Sequence, residues 1–161
     1  AERTNPMSKP TLYQRKLLAK KQEAKQDAQA RRRAAREFNS QTLDLRIKLF
    51  AQDDGADATE LLACLAVVIG TPCEAGARQF GHESVWVRRL HGALRTVLWM
   101  CTDNGYRWDA RFAPALDAAL EEATKERQEL DPEVFTSAWL EANALSVSIL
   151  DHTVQRDAIA A

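Results

Sequence analysis

The sequence predicts an all-α protein: a compact bundle of about four to five helices preceded by a long basic helical arm. Three observations point there. Residues 11–39 contain no Gly or Pro and are rich in Ala, Lys, Gln, Glu and Arg, the strongest helix formers. Apolar residues in most later segments recur at three- and four-residue spacing. Clusters of Gly, Asn, Asp and Pro fall where such helices need to stop and start. The chain has 161 residues, 45% hydrophobic and 28% charged, which excludes a wholly disordered chain, a collagen-like repeat and a disulfide mini-protein.

Residues 1–40 are assigned to the arm and 41–161 to the helical domain. Ala1 to Pro6 precede Met7-Ser8-Lys9, which reads as a start, so 1–6 are expected to be disordered or an appended remnant. Pro10 suits a first helical turn, and some 30 residues at 1.5 Å each make a rod of roughly 45 Å. The apolar stripe of this rod (Leu17, Ala24, Ala28, Ala35 and Phe38) is mostly alanine, which buries little area. Removing residues 1–38 is therefore expected to leave the domain folded.

Thr42 to Phe50 reads two ways. Leu43, Leu45, Ile47 and Leu49 alternate with polar residues, a strand signal. No other segment alternates, and a lone strand leaves its backbone unpaired, which favours helix. Asp57 suits an N-cap with Glu60 three residues on, and Gly70 suits the end of the apolar run Leu61–Ile69. That run should be the most buried helix, and Thr71-Pro72 should open a separate short element through Phe80. Ser84 is placed to cap a helix through about Thr102, with Trp86, Leu90, Ala93, Val97 and Cys101 inward and Arg88, His91 and Arg95 on another face. A fourth helix, about Pro114 to Gln128, has an acidic surface of Asp117, Glu121, Glu122, Glu126 and Glu129. Asp131-Pro132-Glu133 opens a fifth, running to about Asp151, with the tail after Val154 fraying. Phe135, Trp139 and Ile149 are its inward residues, and all four tryptophans sit at spacings suited to a core.

The charge layout is bipolar. Residues 1–48 carry 13 Lys+Arg against 5 Asp+Glu, a net of +8, and residues 49–161 carry 9 against 18, a net of −9. The longest apolar run is nine residues, short of the ~20 that span a bilayer, so no membrane partner is expected. Cys64, Cys73 and Cys101 are odd in number with no CxxC pair, which suits a reducing cytoplasm.

Catalytic motifs are missing: there is no GxSxG, GxxxxGK[ST], GxGxxG or HExxH, and His82, His91 and His152 have no identifiable dyad partner. Cys64, Cys73, His82, His91 and Cys101 lie nine or ten residues apart, whereas zinc sites use close pairs that converge locally. A non-enzyme with no metal, cofactor or small-molecule substrate is the expectation.

Two features point to nucleic acid. Lys21, Lys25, Arg32 and Arg36 fall in line on the arm, with Arg31-Arg32-Arg33 its densest patch, and such segments gain affinity by releasing counterions from phosphates. The second is Cys73 to Gly92, CEAGARQFGHESVWVRRLHG. This segment resembles the helix-turn-helix module of bacterial transcription regulators over about an eighth of the chain. The resemblance assigns a helix contact to Ala77, the turn to Gly81, and the second helix's packing to Val87 and Leu90. It implies that Ser84, Arg88 and Arg89, with Glu83 and Val85, face a major groove. His82 departs from the pattern, since an apolar residue usually follows the turning glycine. In the bland alternative, these arginines lie in solvent or pair with the acidic fourth helix.

The function expected from sequence is a small non-enzymatic regulator that binds nucleic acid, DNA ahead of RNA. The alternative is a helical adaptor or inhibitor that uses the arm on an acidic protein surface or in a homodimer.

Overall fold

The computed structural model describes residues 8–160, with side chains through Ser146. Five helices follow one another: α1 Leu12–Ala51, α2 Thr59–Phe80, α3 Val85–Thr102, α4 Ala113–Glu129 and α5 Pro132–Ala160, with a single 3₁₀ turn Ala110–Phe112 before α4. The expected all-α bundle is what forms. The expectations for residues 1–6 lie outside the described residues, as does the inward role given to Ile149. The fifth helix runs on to Ala160, past Asp151.

Arm and first domain helix are one rod of 40 residues, about 60 Å long at 1.5 Å per residue. Thr11 rather than Pro10 starts it: Gln14 N–H donates to Thr11 Oγ1 at 3.2 Å and Thr11 N–H to Gln14 Oε1 at 2.9 Å, a closed capping box. Residues 42–50 are helical and carry the rod on without a break. Its buried residues are Ala34, Phe38, Thr42, Leu45 and Leu49, at the three- and four-residue spacing of one helix face. The body therefore takes hold of the helix at Ala34, inside the segment assigned to the arm. Phe38 is fully buried, edge-on to Phe135 (5.2 Å between centroids) and Trp139 (5.8 Å). Deletion through residue 38 would remove that anchor, so the separable part of the arm ends near Ala30.

α2 is the centre of the bundle and packs on every other helix. Twelve of its 22 residues are buried, Leu62, Leu65, Val68 and Ile69 completely. It does not stop at Gly70. Pro72 sits inside it, an arrangement that ordinarily costs about 3 kcal/mol. Thr71, Pro72 and Cys73 are all buried there, so packing on both sides outweighs the local penalty. The helix is long and apolar enough to cross a membrane, yet two thirds of its apolar window is buried within the bundle, which accounts for its composition. Asp57, the expected cap, stands one residue before the observed N-cap, Ala58. Its Oδ1 accepts from Thr59 N–H at 3.0 Å and from the Thr59 hydroxyl at 2.7 Å, which holds its carboxyl below the usual range.

α3 returns along α2. Gly76 faces Val87, Gly70 faces Leu94, and a backbone clip joins the two far ends: Gly55 N–H to Trp108 O, Ala58 N–H to Tyr106 O and Trp108 N–H to Ala56 O, each 2.8 Å. The buried face of α3 is Val87, Leu90, Val97 and Met100, so Trp86 gives way to Val87, and Ala93 and Cys101 are only half-buried. Two of the four tryptophans, Trp108 and Trp139, are core residues, while Trp99 is 37% exposed.

Candidate nucleic-acid interface

Lys21, Lys25, Arg32 and Arg36 recur at steps of four, seven and four residues on α1, which places them on one face of a 3.6-residue helix. Arg32 and Arg36 each stand two residues, roughly 200° of turn, before a core position, Ala34 and Phe38. The stripe therefore points away from the bundle. All four side chains are exposed, and among the described residues none forms an ion pair. The other two predicted arm residues are engaged. Arg31 reaches back to Glu133 on α5 at 2.9 Å, and Arg33 lies 3.9 Å from Glu37 on its own helix.

The second predicted patch has a different fate. Ala77–Phe80 is the last turn of α2, not a short helix of its own, and α2 and α3 run antiparallel along their whole lengths. A helix-turn-helix instead crosses its two helices at about 90–120° and leaves the second free to enter a groove. Gly81 does make the turn, with φ +89°. Ser84 caps α3, its Oγ accepting from Val87 N–H at 3.3 Å. Arg88 pairs with Glu83, just before the α3 N-cap, and Arg89 pairs with Glu122 of α4 at 3.6 Å. The helix-turn-helix geometry implied by the resemblance is thus replaced by a helical hairpin. The physical reason is length: the apolar stripes of α2 and α3 are long enough to bury each other end to end. Nor does the fold join the two patches, since α1 packs on α2, α4 and α5, and α3 on α2 and α4.

Most remaining cations of the body are neutralised locally. Arg46 forms a two-pronged pair with Asp117 (2.7 and 3.2 Å), and Arg111 a similar one with Asp109, whose carboxyl is held below its usual range by that contact. Arg78 bonds both Glu74 and Glu141. The acidic face expected on α4 is real apart from Glu126, which is 2% exposed and wedged against Gly76.

Sequence reasoning missed two features. One is an apolar groove of about 500 Å³ between α2, α3 and α5, lined by residues such as Ala66, Gly70, Leu94, Leu98, Ala138 and Leu145. Only helix pairing brings these dispersed alanine, glycine and leucine residues together. Its polar edge, Glu74, Arg78 and Glu141, is satisfied internally. The other is an outward apolar row on α1: Leu43, Ile47 and Phe50 are 65, 73 and 61% exposed. Its signal was the alternation of residues 43–49, which on a helix splits into outward Leu43 and Ile47 and inward Leu45 and Leu49.

His82 and His91 are exposed, and among the described residues no three His, Cys, Asp or Glu side chains converge to hold a metal ion. Burial raises the pKa of all three thiols, that of Cys73 to about 11. No protein-family model, curated protein or solved structure matches the chain.

Proposed function

We propose that the protein is a small, non-enzymatic, cytoplasmic regulator that binds nucleic acid through the outward basic face of α1. The observation that carries this reading is the free stripe of Lys21, Lys25, Arg32 and Arg36, set against a body whose arginines are mostly paired to their own acids. Unpaired cations on a rigid rod attract phosphates by counterion release, with little sequence preference. A single straight helix fits the B-DNA major groove, whereas the A-form RNA major groove is too narrow for one, which favours DNA. The acidic body would repel the same polyanion and so orient the rod toward it. Ser84, Arg88 and Arg89 are left out of this site because their contacts are internal.

A second reading has one observation in its favour. Leu12, Tyr13 and Leu18 are exposed on the same rod, as they would be in a helix that docks on an acidic protein surface. An anisotropy titration with labelled duplex and single-stranded DNA, at low and high salt, separates the two. Nucleic-acid binding predicts a low-salt complex that weakens steeply as salt rises and is lost when the four stripe residues become Glu. No complex with either probe at low salt overturns it.

A further inference from the structure

Along the outward face of α1 the chemistry changes in a fixed order. Arg32 and Arg36 come first and are free of ion pairs among the described residues. Leu43, Ile47 and Phe50 follow, at i, i+4 and i+7, all more than 60% exposed. Beyond the helix end at Ala51 come the exposed Asp53 and Asp54, of which Asp54 Oδ1 accepts from Ala110 N–H at 2.9 Å and Asp53 is left to face outward partners. The order is basic, apolar, acidic. Such a face is complementary to itself when turned end for end, since a twofold axis then opposes apolar to apolar and places each basic end on an acidic one. Turned the same way, two copies would set like charges side by side.

We infer that this face is a homodimer interface: a second copy of the chain packs its α1 antiparallel on the first, with the twofold near Ile47. Leu43 of one copy then meets Phe50 of the other, and Arg36 reaches the partner's Asp53. An apolar d-a-d step of this kind is the short form of a coiled-coil seam. The axis lies on the side of α1 opposite its core residues Leu45 and Leu49, which sets the two bodies on either side of the paired helices. The interface needs no nucleic acid; it shares Arg36 with the basic stripe proposed above, while the apolar row that would hold it, Leu43, Ile47 and Phe50, lies outside that stripe.

Sedimentation equilibrium of the full chain over a range of concentrations tests it. The wild type is expected to dimerise reversibly, and more weakly at high salt. Ile47→Glu, at an exposed position, is expected to weaken dimerisation about a hundredfold or more while leaving helicity, and the melting temperature of the dilute monomer, unchanged. Orientation is read with Leu43→Cys and Phe50→Cys chains mixed under oxidation, Cys64 being replaced by Ser in both. Disulfides between the two different chains are expected. A wild type that stays monomeric up to its solubility limit, a dimer indifferent to Ile47→Glu, or disulfides formed only between identical chains would overturn the proposal.

Discussion

Glu126 is the residue at which sequence and structure part most sharply. On a helical wheel it belongs to the acidic surface of α4, with Glu122 and Glu129 close by. In the fold it is 2% exposed, its Oε1 has no hydrogen-bond partner among the described residues, and that oxygen would lie 2.6 Å from a Cβ placed on Gly76. Burial first, then repulsion from Glu122 and Glu129, pushes its pKa up to about 7. A carboxyl raised in the folded state holds its proton there while the unfolded chain has released it. Stability therefore falls as pH rises from about 4.5 through about 7, and the loss is complete above that. The shift corresponds to about 3 kcal/mol at pH 8. Glu126→Gln is expected to raise the melting temperature clearly at pH 8 and barely at pH 5. Thermal scans of both proteins at the two pH values check this, and equal effects at both would refute it. Leu65, fully buried in α2, gives a simpler expectation: Leu65→Ala should cost about 2–5 kcal/mol in urea denaturation.

At the scale of elements, helix type and the caps of α3 and α5 were legible because they rest on local chemistry. Ser84, and Asp131 with Pro132, stand where their hydrogen-bonding groups are needed, the Asp131 Oδ1 accepting from Glu133 N–H at 2.8 Å. Asp131 N–H is itself held by Gln79 Oε1 from α2 at 2.8 Å, a tertiary contact no local rule supplies. Boundaries failed where packing overrode propensity, as at Gly70 and Pro72. The same holds for α1, whose core contacts begin at Ala34 because Phe38 meets two aromatics far away in sequence. This gives the truncation prediction. Removing residues 1–29 should change the melting temperature little, since every side chain before Ala28 among the described residues is exposed. Removing residues 1–38 should destabilise the fold by about 3–5 kcal/mol, the usual cost of losing a buried Phe. Indifference to both deletions would mean that α1 does not dock through Phe38.

For the whole molecule, the bipolar charge was plain in the sequence and keeps its meaning in the fold. The negative half folds up and pairs several of its own arginines, while the positive half runs outward with most of its described cations unpaired, the four of the stripe among them. The candidate site was legible in the arm, because charge on an exposed helix needs no tertiary partner to be read. It was misread at residues 73–92, where a short motif fits both a helix-turn-helix and a plain hairpin, and only the length of α2 and α3 decides between them. The measurement that tests the central claim most directly is the salt dependence of duplex DNA binding, compared between the wild type and the protein with Lys21, Lys25, Arg32 and Arg36 all changed to Glu. Each phosphate contact contributes about 0.9 to the slope of log affinity against log salt, so loss of the four should flatten that slope by about 3–4. An unchanged slope in the variant would contradict the account, because the rod's outward face would then not be what holds the phosphates.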